Sequence, residues 1–483
     1  MTRLVVGPFN RVEGDLEVKL DIGDGRVEKA FVVSPLYRGF ERMLSGKPPM
    51  DALVYAPRIC GICSVSQSVA AAMALAEAQG VVMPPNGELS LNLVHATENV
   101  ADHLTHFYLF FMPDFARDVY TSENWHSVAR ERFAAIKGTA ASDVLPARAQ
   151  FMHLMGILAG KWPHTLSVQP GGSTRAVSAG EMARMGATLS AFRRFLERTL
   201  FGDRLERIAE LSNETELATW AAEKPETSSD FRHFLYISKA LNLTSLGPST
   251  GRYMSNGAYA RAGAHLFARG VFTNGGCGSL DAGAIAEDIS HAWYAAGNGA
   301  LSPSKGETRP DADRPDSYSW CKAPRLGGAV MEVGALARQL VDGHPLILDL
   351  HARTGGNVHT RVVARLLEIA LVVLEMQRWV EVLRPGEPFI AHASMPDSAE
   401  GSGLTEAARG SLGHWLKIEN GRIANYQIIA PTTWNFSPRD SEGTPGPLEQ
   451  ALAGAPVRPG ETEPVAVQHI VRSFDPCLVC TVH

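Results

Sequence analysis

The chain has 483 residues, with 45 Lys+Arg against 51 Asp+Glu and a formal net charge of −6. That balance excludes a nucleic-acid binder that relies on bulk positive charge. A hydrophobic content of 45% with 20% charged residues excludes disorder as the main state.

The N-terminal segment Met1–Pro8 contains no apolar stretch long enough for a secretory signal, so residence in the cytoplasm is expected. Residues 3–36 read as short strands of alternating Val, Leu and Phe, broken by Asp24-Gly25, a two-residue hairpin turn. This predicts a small antiparallel sheet. From about residue 51 the period becomes helical: Leu89, Leu93, Ala96, Val100, Leu104, Phe107 and Phe111 recur on one face. Similar stripes run through 177–200 and 358–383, the latter marked by Val362, Leu366, Ile369, Val373 and Met376. Ser302–Ser317 and Ser437–Pro464 carry no stripe and read as solvated loops. The fold class is α+β and helix-dominated: a central bundle of long helices, a small N-terminal antiparallel sheet and peripheral α+β parts.

A membrane span needs roughly 20 apolar residues, and the best stretch, Ile369–Leu374, is closed in by Glu368 and Glu375. No span is expected. Gly275-Gly276-Cys277-Gly278 and Gly401-Ser402-Gly403 match neither dinucleotide nor phosphate-loop spacing. No bound nucleotide is expected either.

Six cysteines occur, at 60, 63, 277, 321, 477 and 480. Four of them form two C-x-x-C pairs, Cys60/Cys63 and Cys477/Cys480, and this spacing aims two sulfurs at one point, where soft thiolates select zinc, nickel or iron. A structural zinc site usually closes a short local loop, whereas these pairs lie at opposite ends of a chain with ample core. Spacing alone leaves structural zinc and a catalytic metal centre both open. Cys277 and Cys321 are isolated and are expected to be small buried hydrophobes.

The pairs stand in Arg58-x-Cys60-Gly61-x-Cys63 and Asp475-Pro476-Cys477-x-x-Cys480-x-x-His483. Further motifs lie between them: Arg11-Val12-Glu13-Gly14, Tyr37-Arg38-Gly39-Phe40-Glu41, Asp102-His103-x-x-His106-Phe107-Tyr108, Gly160-x-x-Pro163-His164, Tyr318-x-Trp320-x-Lys322-Ala323-Pro324-Arg325, Glu406-x-x-Arg409-Gly410-x-Leu412-x-His414-Trp415 and Pro431-x-Thr433-Trp434-Asn435. Together they resemble the large subunit of nickel-iron hydrogenases over essentially the whole chain. The resemblance implies one intertwined body, 1–483, with a sheet region at 1–50, a mainly helical part at 51–300 and an α+β portion at 301–483 whose C-terminus is buried at the metal site.

Some positions depart from that family's pattern. Gln67 stands where His is usual, Asp15 likewise, and Ala408 replaces the proline before Arg409. Most relatives are made with an extension cleaved after the final His, and this sequence stops at His483. With Gln67, that resembles the hydrogen-sensing, regulatory subgroup, in which Ile62 and Phe110 would match positions narrowing the gas channel. An energy-conserving uptake or bidirectional hydrogenase is the alternative.

Splitting dihydrogen, a very weak acid, needs an acceptor for hydride beside a base for the proton, and a metal-bound thiolate serves as both ligand and transient base. By resemblance, Cys60 and Cys477 bind nickel terminally, and Cys63 and Cys480 bridge it to an iron that carries carbon monoxide and cyanide. Arg409 lies over the open metal position, paired with Asp102 and Asp475, and either Arg409 or Cys477 is the base. Glu13 matches the first proton-exit residue. Glu41 and His483 bind magnesium or a third iron, with a backbone carbonyl near Ala430.

His95, His103, His106, His126, His153 and His164 are expected in core or surface roles; His103, His106 and His164 fall in the family motifs and orient or pack. Two leftover cysteines cannot hold an iron-sulfur cluster, so electrons must leave through a partner. The resemblance supplies an iron-sulfur small subunit in a heterodimer, or a dimer of heterodimers, and the sensor reading adds a sensor histidine kinase.

Overall fold

The computed structural model describes residues 2–295, 297, 299–481 and 483. Thr2–Val6, Glu17–Gly23 and Arg26–Val33 pair in order as an antiparallel sheet. Asp24 and Gly25 turn the hairpin at φ 50° and 71°, the left-handed pair that a two-residue turn between twisted strands requires.

Three long helices form the centre: Ser64–Gln79, Pro85–Thr105 and Val358–Val382. The last begins at a capping box in which Asn357 and Thr360 exchange hydrogen bonds, satisfying two otherwise orphaned N–H groups. It packs along Pro85–Thr105. The apolar stripe that starts at Leu89 runs past the end of its α-helix into a π-helical turn, His106–Phe111. The 177–200 stripe likewise forms Ala179–Phe195 followed by a π turn at Leu196–Leu200.

Two further three-stranded antiparallel sheets are present: Arg252–Arg261 with Ala264–Thr273 and Gly276–Gly278, and, within the expected α+β portion, Ala399–Ala407 with Gly410–Glu419 and Arg422–Ile429. The first interrupts a region read as mainly helical. Arg252–Arg261 is buried along most of its length, and Asn256 within it donates its N–H to Glu406 at 2.8 Å. A strand with both faces covered and polar groups met by distant partners shows no two-residue alternation. In the second sheet Gly401 and Gly403 lie on the Ser64–Gln79 helix so closely that an added Cβ would meet Ala74 O at 2.1 Å and Ala70 O at 1.9 Å. That contact explains the glycine pair.

The expected loop Ser437–Pro464 contains a helix, Pro447–Leu452. Leu448 is fully buried, and Glu449 accepts Val32 N–H at 3.0 Å and Tyr318 O–H at 2.8 Å. The segment is fastened to the N-terminal sheet by a buried carboxylate rather than by an apolar stripe. In Ser302–Ser317 most residues are exposed or half-buried, and Thr308 turns inward to donate to Glu41. Among the described residues no helix is long and apolar enough to cross a membrane.

Candidate metal centre

Cys60 and Cys63 occupy the turn that feeds the Ser64–Gln79 helix, with Cys63 at its N-cap position. Glu98, from the neighbouring long helix, accepts the free N–H groups of Val65 and Ser66 at 2.8 Å each and Trp162 Nε1–H at 2.9 Å. Burial pushes the Glu98 carboxyl up to about 7. The start of the helix is thereby satisfied and fixed in place.

The second pair follows the Val465–Ser473 helix, where Asp475 adopts a left-handed backbone at φ 57°. Groups from distant parts of the chain hold this segment. Arg365 Nη2 donates to Phe474 O at 3.1 Å, Arg409 Nε to Asp475 O at 2.9 Å and Glu13 N–H to Pro476 O at 3.4 Å. Cys477 N–H donates to Thr432 Oγ1 at 3.1 Å, and Leu478 N–H to Glu13 O at 2.7 Å. A buried chain end needs such partners for its polar backbone.

Both pairs thereby meet. The sulfurs of Cys60 and Cys477 lie 3.4 Å apart, those of Cys63 and Cys480 3.3 Å, and those of Cys477 and Cys480 3.1 Å. All four ligand atoms lie within 4.8 Å of one another and every residue is buried. These separations exceed the roughly 2.05 Å of a disulfide, and all four are free thiols. Hydrogen bonds from Cys477, Cys480 and Cys63 hold the Cys60 thiol well below its usual range, while the same contacts push Cys63 up. Four soft donors crowded in a dry interior, with a charge already favoured on one, fit a soft or borderline metal.

Arg409 is buried beside them. Its Nη1 donates to Asp102 Oδ2 at 2.5 Å, and its Nη2 to Asp102 Oδ1 and Asp475 Oδ1 at 3.1 Å each. Burial opposes its charge, but Asp102, Asp475 and Cys477 outweigh that and hold the guanidinium protonated. Glu13 sits half-buried in a parallel bridge with Cys477. Burial, together with the charge of Cys60, raises the proton affinity of its carboxylate, against Arg409 and Arg38.

Gln67 Oε1 lies 2.7 Å from His414 Nε2, and Tyr426 Oη 2.7 Å from His414 Nδ1. A carbonyl oxygen only accepts, so His414 Nε2 carries the proton and Nδ1 accepts from the tyrosine. Burial pulls His414 down to about 3, which keeps it neutral. Asp15 is exposed, and Ala408 is buried with its carbonyl accepting from Arg338 Nη2 at 3.0 Å.

The other predicted pair also comes together. Glu41 N–H donates to His483 O at 3.3 Å. The Glu41 carboxylate accepts from Lys322 Nζ at 3.1 Å, from Ile428 N–H at 2.9 Å and from Thr308. Both ring nitrogens of His483 are buried without a hydrogen-bond partner. Burial pulls His483 down to about 3, and a neutral, bare imidazole on a segment tied to Glu41 through the main chain has the donor chemistry of a metal ligand. The Ala430 carbonyl already caps a short helix, accepting from Thr433 N–H at 3.0 Å.

Sequence reasoning gave no role to Lys322, Glu287 or Glu98. Lys322 stood inside a quoted motif, and Glu98 and Asp102 recur at a spacing of four on the Pro85–Thr105 helix, which is the signal available. Cys277 is exposed rather than buried, because it sits on the short edge strand Gly276–Gly278; Cys321 is buried. Among the described residues the four cysteines are the one group of three or more His, Cys, Asp or Glu ligand atoms. His103 and His106 contact Glu368 and Arg472 O, His164 meets Pro57 O, His95 meets Ser66, His126 is buried and His153 is exposed.

Comparison with protein families matches residues 38–137 and 142–483 to the nickel-dependent hydrogenases. The periplasmic NiFeSe hydrogenase large subunit of Desulfomicrobium baculatum is 30% identical, covering 100% of this chain and 95% of that protein. The uptake hydrogenase large subunit of Rhodobacter capsulatus is 27% identical over 100% and 95%. Among solved structures, the reduced, active NiFeSe hydrogenase of Desulfomicrobium baculatum superposes with a TM-score of 0.85 at 29% identity, covering 100% of both chains.

Proposed function

This chain belongs to the nickel-dependent hydrogenase family, and from that premise we propose that it is a large subunit that cleaves dihydrogen heterolytically at a metal centre held by Cys60, Cys63, Cys477 and Cys480. The carrying observation is the meeting of four buried sulfurs from both ends of the chain beneath a paired arginine. A nickel-iron centre, its iron bearing carbon monoxide and cyanide, would supply the electron-accepting site that polarises dihydrogen.

The residues of the chain supply the rest. Arg409 presents a fixed positive charge whose position Asp102 and Asp475 determine, so no reorganisation is needed when charge develops. Cys477 accepts the proton, because Arg409, held protonated by Asp102 and Asp475, has no lone pair to offer. Glu13, joined to Cys477 through the main chain and raised in proton affinity, takes that proton outward. The interior excludes water from the sulfurs. Glu41 and His483 would hold magnesium or iron and so fix the chain end next to Cys480.

Electrons leave through an iron-sulfur small subunit in a heterodimer. Support comes from apolar side chains left exposed on the segment leading to Cys60, namely Leu36, Met43, Met50 and Val54, which a partner would bury. The relatives compared carry the names of an uptake enzyme and a periplasmic enzyme, which supports turnover as the role. The hydrogen-sensor reading draws on Gln67, with Ile62 and Phe110, and none of these relatives lends support to it or to a histidine kinase partner. The periplasmic name likewise lends no support to the cytoplasmic expectation.

The test is an infrared spectrum and metal analysis of the purified heterodimer. Carbonyl and cyanide bands with nickel present are the expected result. Zinc without nickel would return the site to a structural zinc centre held by four cysteines.

A further inference from the structure

Asp475 has two buried oxygens and a left-handed backbone to hold, and Arg409 occupies only one of those oxygens, Oδ1, together with the residue's carbonyl. The other, Oδ2, accepts from Arg365 Nη1 at 3.3 Å. Arg365 projects from the N-terminal third of the Val358–Val382 helix and is buried. Its second amino group donates to Phe474 O at 3.1 Å. The fork thus grips the carboxylate and the preceding peptide together.

Arg365 is itself held. Its Nη1 lies 3.4 Å from His103 Nδ1, and His103 Nε2 lies 3.1 Å from Glu368 Oε1. An ionised carboxylate only accepts, so His103 carries its proton on Nε2 and offers Nδ1 as acceptor to the guanidinium. Glu368 is fixed in turn by Arg338, whose Nε and Nη2 donate at 3.1 and 2.8 Å. This chain of contacts reaches Asp475 from the side opposite Arg409.

Resting on the reading of Arg409 above the sulfurs, we infer that Arg365 is a positioning residue for hydrogen splitting: by fixing the orientation of the Asp475 carboxylate, it sets where the Arg409 guanidinium stands over the metal centre. Without Arg365, Asp475 Oδ2 is a buried acceptor with no donor, and the carboxylate must rotate or recruit one. Arg409 moves with it, because Nη2 follows the carboxylate and Nε follows the main chain that Arg365 no longer holds at Phe474 O. Asp102 alone then anchors the guanidinium at its other edge.

The test uses the intact heterodimer with R365M, R365K and R409K. Measured are nickel and iron content, the carbonyl and cyanide infrared bands, and kcat and KM for hydrogen. Misplacing a catalytic group by about 1 Å costs about 100-fold, so R365M is expected to lower kcat on that scale, shift the infrared bands, and keep nickel and KM within about twofold. R365K keeps the charge but loses the fork, and is expected to recover part of kcat with bands between the two. Nickel lost in step with activity in both variants would reduce Arg365 to a structural prop and overturn the inference. Wild-type kcat and bands in R365K and R365M would overturn it as well. Should R365M fail to fold, R365K decides alone, by shifted or unshifted bands. An unimpaired R409K sinks the underlying reading; an impaired R409K beside unimpaired Arg365 variants sinks only this inference.

Discussion

Glu13 and Cys477 are main-chain neighbours: the peptide of Glu13 donates to Pro476 O and accepts from Leu478 N–H, so it spans the cysteine on both sides. The pairing uses only backbone atoms, and the Glu13 side chain is free of it. Glu13→Gln therefore keeps the bridge and removes the proton carrier. Exchange between deuterium gas and solvent protons is expected to fall by about 100-fold or more with nickel retained, as read by mass spectrometry of the headspace. Exchange at the wild-type rate would mean protons leave by another route.

Arg409→Lys retains a charge but not the bidentate hold on Asp102, nor the simultaneous contacts to Asp475 Oδ1 and O. Loss of one preorganised donor costs about 10²–10³ in rate, so hydrogen oxidation is expected to drop at least that far. Metal analysis should find nickel nearly unchanged, and its loss would make the residue's role structural.

Cys477→Ser replaces a soft sulfur by a hard hydroxyl at a site where the four sulfurs lie within 4.8 Å of one another. Thiolate chemistry selects the metal, so nickel retention or activity is expected to be lost, as judged by elemental analysis of the purified complex.

Gln67→His alters the partner of His414 Nε2. Gln67 stands one helical turn after Cys63, donating its N–H to Cys63 O at 3.1 Å, and residues that support a metal's ligands typically shift activity by about 10–100-fold when changed. Changed infrared bands and a changed response to hydrogen and oxygen are expected. An unchanged spectrum and activity would leave Gln67 without a functional part.

Asp114 joins the N-terminal loop to the C-terminal helix, accepting from Arg472 Nη1 at 2.7 Å and from Arg11. Burial works to raise its carboxyl, yet Arg472, His469 and Arg11 hold it well below the usual carboxylate range. A carboxyl lowered on folding adds stability above its unfolded value of about 3.9, and that stability is lost as pH falls further. Asp114→Asn leaves buried cations unpaired and should cost about 3–5 kcal/mol. Thermal melts from pH 7 to pH 3 should show a lower midpoint at neutral pH and a flatter acid limb than the wild type.

The parts legible in the sequence are those fixed by local chemistry. Asp24-Gly25 specifies its hairpin, the stripe from Leu89 onward specifies a helix, and the C-x-x-C spacing specifies two paired sulfurs. The parts that escaped are fixed by partners far along the chain. Asn256 sits in a covered strand because Glu406 meets its N–H, and Glu449 carries a helix inward because Val32 and Tyr318 do the same for its carboxylate. Gly401 and Gly403 matched no phosphate-binding spacing, and their part is the close approach of a strand to the Ala-rich helix. Lys322 had no visible role until Glu41 and Glu287 were placed on either side of it.

The wide turn His106–Phe111 works as a spacer one residue longer than regular coiling would allow, since each of its bonds reaches five residues instead of four. Asp102 and His103 precede it and Asp114 follows it. Removing a single residue there would tighten the turn to four-residue bonds and displace the Met112–Ala116 turn that follows, which carries Asp114. The carboxylate that meets Arg472 and Arg11 would then point elsewhere, although no atom of the sulfur cluster had been touched.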